Sequence, residues 1–180
     1  MKRLTYAIIL FMMVPLCIHA QTQTVSYDLK KTDLTGLWTG SLYNDSTQQY
    51  HRYEIAITKE KGKYSGYSYT RFHFENGEYY AVKKLNIRIA NDGKIVIYDD
   101  MLLRHNLPEL PEKNSSQLNI LSLQQNNQKD VLEGLFVTNH TKKHSPLTGK
   151  VELVREHEKS HSGLQSFLQE TAPDDLGANL

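Results

Sequence analysis

The chain has 180 residues, with 21 Lys and Arg against 20 Asp and Glu, and a single cysteine, Cys17. A balance this close to neutral excludes the basic excess of a nucleic-acid-binding surface. One cysteine excludes a small disulfide-stapled toxin or growth factor, and the length suits one domain with a core of its own.

Residues 1–20 have the three-part layout of a secretory signal: Lys2 and Arg3, an apolar run from Tyr6 to Ile18, then Ala20 as cleavage point before Gln21-Thr22-Gln23-Thr24. The run is shorter than the roughly 20 residues a spanning helix needs, and no second apolar run follows. Pro15 and Leu16 stand where a lipoprotein signal carries small residues, which disfavours lipidation of Cys17. The expectation is an exported protein, periplasmic or secreted, with no membrane span in its mature form. Cleavage after Ala20 removes Cys17, Lys2 and Arg3, so 19 of the 21 basic side chains remain against 20 acidic ones.

Residues 21–32 are polar and lack periodicity, a flexible lead-in. From Leu34 onward, short period-2 segments rich in Tyr, Ile, Val and Thr alternate with Gly, Asn and Asp clusters, the signature of strands and turns. The first strand is expected at Gly36 to Tyr43 and the second at Tyr50 to Lys59, with His51, Tyr53, Ile55 and Ile57 on one face. Lys61-Gly62 turns the chain into the third, Tyr64 to Phe74. Asn76-Gly77 signals a hairpin because both residues tolerate positive φ, and Tyr79 to Ala90 follows as the fourth strand. Asn91-Asp92-Gly93 leads to the fifth, Ile95 to Tyr98. Pro108 and Pro111 make Met101 to Lys113 a long loop. Leu118 to Leu123, Asp130 to Thr138 and Leu147 to Val154 complete the series. Three sequons, at Asn44, Asn114 and Asn139, serve as loop markers. Leu164, Phe167 and Leu168 share one face of a helix expected within 156–172. Pro173 stops it, and residues 173–180 form a tail expected to be disordered.

Eight strands with short connections leave no room for crossover helices, which excludes a parallel α/β sheet. Eight is also a number at which a sheet closes on itself and removes its edges. The fold class expected is therefore all-β, an eight-stranded antiparallel up-and-down barrel over residues 33–155 with a short C-terminal helix. A two-sheet sandwich is the alternative.

Leu34-Thr35-Gly36-Leu37-Trp38 resembles the Gly-x-Trp opening of lipocalins and their calycin-type barrel relatives, in which the tryptophan packs across the closed end. Gly62-Lys63-Tyr64-Ser65-Gly66-Tyr67-Ser68-Tyr69-Thr70 is similar to the Gly-x-x-x-Gly-x-Tyr strand of avidin-type barrels. Small exported bacterial proteins of this layout also share the late Leu-Thr-Gly-Lys-Val strand, here Leu147 to Val151. What the resemblance implies is the barrel architecture alone, since a fold does not carry its function with it. It departs from the biotin binders: this chain has one tryptophan, and Gly40 and Asn44 stand where they offer an asparagine and a serine, which argues against biotin.

His157-Glu158-Lys159-Ser160-His161 fits the H-E-x-x-H pattern, in which a helix places two histidines on a zinc ion and a glutamate beside its water. Arg155, Glu156 and Lys159 crowd the motif with charge, however, and Glu170 is too near to be the third ligand. The reading is a solvated helix start; no metal or other cofactor is expected. His140 and His144 lie among Lys142 and Lys143 in a loop, where like charge repels a cation. No cysteine survives cleavage and no Gly-x-Ser-x-Gly elbow exists, so nucleophilic catalysis finds no support. Asp99-Asp100 and Asp174-Asp175 read as turn and tail residues.

Tyrosine is concentrated in the second to fourth strands, and its apolar face with a polar tip suits a half-polar cavity. Tyr67 and Tyr69 share a face and are the leading pocket candidates, with Tyr53 and Trp38 as neighbours. The expected function is non-enzymatic: an exported barrel holding a small apolar or amphipathic ligand. The alternative is an envelope interaction, structural or inhibitor protein working through its surface, and a zinc hydrolase is the remote third.

Overall fold

A computed structural model describes residues 33–74, 77–126, 129–157 and 162–171. The secretory-signal reading, the lead-in and the tail lie outside them, as do Glu158 and His161. Eight strands follow in order: β1 Gly36–Asn44, β2 Gln49–Glu60, β3 Lys63–Phe74, β4 Gly77–Ile89, β5 Ile95–His105, β6 Gln117–Asn126, β7 Lys129–Thr138 and β8 Thr148–Arg155. Each pairs antiparallel with the next, and β8 returns to β1 from Trp38↔Arg155 to Asn44↔Gly149. The sheet is a closed barrel, and the β1–β8 ladder excludes the two-sheet sandwich.

Turn chemistry sets the meander. Lys61 and Gly62 both have positive φ, 49° and 80°, the combination that lets a two-residue turn follow the twist of its strands. At the seam, a Cβ on Gly149 would sit 1.8 Å from the Tyr43 carbonyl oxygen and 2.5 Å from the Phe136 ring, so only glycine allows that approach. The period-2 pattern then sends Leu42, Tyr53, Ile55, Leu85, Ile97 and Leu153 into one shared core.

One end of the barrel is shut. Trp38 and Leu34 are fully buried there, and the indole Nε1–H donates to the Leu34 carbonyl at 3.0 Å. The Arg155 guanidinium lies 4.4 Å from the Trp38 ring centroid. Its Nη1 and Nη2 donate to the Thr35 and Asp33 carbonyls at 2.7 and 2.6 Å, while Nε is 3.1 Å from Asp130 Oδ2. Residues 33–35 are thereby strapped across the opening.

The other end is looser. β5 continues beyond its expected limit at Tyr98, because it stays paired with β4 through two register shifts as far as Ala81↔His105. Its ladder with β6 covers only Ile95↔Leu121 to Tyr98↔Leu118. From Asp99 onward the two strands part. Asp99 and Asp100 therefore belong to a strand, not to the turn expected of them.

The helix α1, Gly163–Thr171, docks outside the barrel. It starts seven residues later than its earliest expected position, Glu156, because Ser162 is its cap: the hydroxyl accepts from Gln165 N–H at 3.0 Å. Glu54, pointing outward from β2 and fully buried, completes the start. Its Oε2 accepts from Leu164 N–H at 3.0 Å and from the Ser162 hydroxyl, and its Oε1 pairs with Arg52 Nε at 2.6 Å. Leu164, Phe167 and Leu168 pack on Ala56, Tyr69 and Val82. Glu54→Ala is expected to strand these donors at a cost of about 1–3 kcal/mol and to release α1. Amide exchange at residues 164–171 should speed up while the barrel strands stay protected; unchanged protection of the helix contradicts the assignment.

Candidate ligand site at the open end of the barrel

The inward face changes character from one end to the other. Around Trp38 it is apolar. Towards the open end β4 presents Lys83 between Ala81 and Leu85, β5 presents Asp99 after Ile95 and Ile97, and β6 presents Asn119 before Leu121. Two-residue spacing forces these polar groups onto the core face, and they satisfy one another there.

Lys83 Nζ bonds Asp99 Oδ2, which also accepts from Gln117 N–H at 3.0 Å. The Asp99 side chain is only 7 % exposed and that of Lys83 24 %. Gln117 Nε2 donates to Asn119 Oδ1 at 2.8 Å, and Asn119 Nδ2 donates to the Tyr53 hydroxyl at 3.3 Å. The Tyr53 hydroxyl also has Ser68 beside it. Burial, then the charge of Asp99, raises the Tyr53 pKa above the usual tyrosine value, so this phenol stays a neutral hydrogen-bonding group.

This network reaches a cavity. A space of about 350 Å³ opens where β5 leaves β6, lined by Lys83 and Asp99 at its inner end and by Met101, Leu102, Pro111 and Asn114 nearer the surface. A second space of about 660 Å³ adjoins it across Glu112, Lys113 and Asn114, bounded by 139–142 of the β7–β8 loop. Asn139 stitches the two loops together: its Oδ1 accepts from Ser116 N–H and its Nδ2 donates to the Asn114 carbonyl, both at 2.8 Å. The sequons at Asn114 and Asn139 do mark loops. Asn44 instead ends β1, buried, with its side-chain oxygen accepting from Ser46 N–H at 2.9 Å.

His51 faces inward near this end, buried, with its ring 5.2 Å from that of Phe72. The Nδ1 atoms of His51 and His105 are buried without a hydrogen-bond partner among the described residues. Burial first, then the charge of His73, lowers the His51 pKa below its ordinary 6.5. The unfolded chain therefore binds this proton more tightly, so the His51 contribution is intact above pH 6.5 and is lost as pH falls towards the folded value. His51→Phe should flatten the fall in melting temperature just below pH 6.5. A variant with the wild-type slope contradicts the assignment.

Of the four expected site residues, Trp38 and Tyr53 are inside, but Trp38 belongs to the shut end and only Tyr53 joins the polar network. Tyr67 and Tyr69 do share a face, and it is the outer one. Gly66, Ser68 and Thr70 are the inward residues of β3, while Tyr69 stacks on Tyr80 at 5.6 Å under α1. The expectation that this pair lines an interior pocket is corrected accordingly. Tyr69 instead borders a space of about 220 Å³ between α1 and the wall, with Arg104 and Glu170 at its edge. The sequence reading places His51 on the face of Tyr53 and takes Asp99 for a turn residue, and it does not single out Lys83 or Asn119.

His157 is exposed and precedes α1, outside the helix that the zinc motif requires. Among the described residues no group of three His, Cys, Asp or Glu side chains is placed to hold a metal ion, and no helix is long and apolar enough to cross a membrane. Comparisons with protein-family models, curated proteins and solved structures find no match.

Proposed function

We propose that this is an exported, non-enzymatic binding barrel that takes a small amphipathic molecule at its open end. The supporting observation is the cavity of about 350 Å³ between the parted strands β5 and β6, where Met101, Leu102 and Pro111 supply apolar surface, Asp100, Glu112 and Lys113 add charge, and the Lys83–Asp99 pair stands at the base. Convergent polar groups beside apolar surface are what orient a small amphipathic ligand, and the volume lies within the usual range for such sites. The polar groups are mutually hydrogen-bonded and the Tyr53 phenol is held neutral, which suits recognition better than proton transfer. The Gly-x-Trp opening, similar to that of lipocalins, is in keeping with a carrier role.

Native mass spectrometry of the protein, purified from its own source without denaturation, tests the reading. A discrete extra mass of small-molecule size, lost on acid denaturation, is the result expected. A bare monomer under the same conditions overturns it.

A further inference from the structure

Most of the large exposed hydrophobes among the described residues lie on the outer wall of β5–β7. The ladders set the outward apolar residues in two rows. Tyr98, Leu118 and Val137 stand side by side in one, and Val96, Ile120 and Leu135 in the next row towards the shut end. Ile120 and Leu135 are 45 and 62 % exposed; Tyr98 and Val137 are exposed as well, Leu118 is half-buried and Val96 buried. The block is bounded on both sides, since its rows continue as Asn86 and Arg88 on β4 and as Thr148 and Lys150 on β8. Single exposed hydrophobes are ordinary, but a contiguous block marks an interaction surface.

The row below carries charge. Lys94, just before β5, donates from Nζ to Ser122 Oγ at 2.7 Å; Ser122 pairs with Glu133, and Glu133 with Glu152. A cation thus stands at the β5 end of this row and a carboxylate at its β8 end. Glu133 and Glu152 lie directly opposite each other, where like charges repel. Gln124 Nε2 donates to Glu133 Oε1 at 2.6 Å, whereas Glu152 has no ion-pair partner among the described residues.

This surface is complementary to itself. The four apolar residues of β6 and β7 are centred on the line between those strands, and Lys94 and Glu152 stand one strand out on either side. A two-fold axis along that line, between two facing walls, exchanges β6 with β7 and β5 with β8. It lays Ile120 on Leu135 of the second copy, Leu118 on Val137, Ser122 on Glu133 and Lys94 on Glu152, each contact made twice. The closed barrel has no strand edge to pair, so two copies meet wall to wall. Both walls are convex, and long side chains such as Lys94 and Glu152 are what bridge the widening gap at the margin.

We infer that the protein forms a two-fold dimer through the outer walls of β6 and β7, with Leu118, Ile120, Leu135 and Val137 at its centre and reciprocal Lys94–Glu152 ion pairs at its margins. Two convex walls bury less than the roughly 1,200 Å² of standard interfaces, so dissociation in the micromolar range is expected. None of these residues lines the cavity between β5 and β6, so the inference stands apart from the ligand reading.

The test uses the chain from Gln21 onward, which holds every described element and omits the apolar run Tyr6 to Ile18, itself able to drive association. Sedimentation equilibrium from about 5 to about 500 µM covers the range in which so small an interface associates. The mass is expected to rise from one chain to two, and at lower concentration when salt is reduced. Lys94→Glu and Glu152→Lys each turn two attractions into repulsions and should weaken the dimer by about tenfold or more. Both positions are exposed, so the circular dichroism of the parent should be kept. Mixing the two variants in equal amounts puts opposite charges back at both margins and should restore the dimer. Leu135→Ser, at the centre, should abolish it. A chain that stays monomeric up to about 500 µM overturns the inference, and sedimentation of that monomer with phospholipid vesicles would give the wall to a lipid surface. Single charge variants that dimerise as the parent does, or a mixture that associates no better than either variant alone, overturn it equally.

Discussion

Trp38→Ala is expected to destabilise the barrel by about 3–5 kcal/mol, the range for truncating a buried large aromatic side chain. Part of that is lost transfer energy, and part is the cavity left where the indole filled the shut end against Leu34. The Leu34 carbonyl loses its donor and the Arg155 guanidinium loses the ring beneath it. The strap of residues 33–35 should then loosen. Trp38→Phe keeps most of the volume and gives up the hydrogen bond, so a loss of about 1–2 kcal/mol is expected. Urea unfolding measures both, and a loss below about 1 kcal/mol for the alanine variant would contradict the packing described.

Lys83→Met should cost about 2–3 kcal/mol, because it leaves Asp99 charged on the inward face with Gln117 N–H as its remaining donor. The figure sits below the usual range for a broken buried pair, since Lys83 is partly open to the cavity and water there softens the penalty. Asp99→Asn in the Lys83→Met background removes the stranded charge and should recover about half of the loss. If the double variant is no more stable than Lys83→Met, the two groups are not a coupled pair. The same substitutions should weaken ligand retention, since the pair forms the base of the cavity.

Much of this architecture was legible in the residues because strands and turns are local. Lys61-Gly62 and Asn91-Asp92-Gly93 announce hairpins through the backbone freedom those turns need, and eight alternating segments without crossovers leave an antiparallel meander. What alternation cannot tell is which of its two faces turns inward. On β3 the bulky tyrosines looked like the pocket side, yet the small inward residues Gly66, Ser68 and Thr70 sit opposite the large core groups, and α1 covers the tyrosines from outside.

Other misses left a readable trace. Lys83 interrupts the apolar register Ala81, Leu85, Ile87, and Asp99 continues the register of Ile95 and Ile97. A charge on an apolar face implies a buried partner, and two such interruptions of opposite sign imply each other. Ser162-Gly163-Leu164-Gln165 fits the capping pattern that starts a helix, and it dates α1 better than the apolar spacing alone. No local signal gave the parting of β5 from β6. It accompanies two register shifts between β4 and β5, a property of the paired ladder and not of either segment.

A ligand site in the recess between β5 and β6 is lost when that recess is filled. Leu102 lines it without belonging to the main core, so Leu102→Trp fills the space while the barrel stands. Native mass spectra of the parent and of Leu102→Trp, purified side by side from the same host, decide the matter. An extra small-molecule mass is expected on the parent and none on the folded variant; equal retention by both proteins would place the ligand elsewhere.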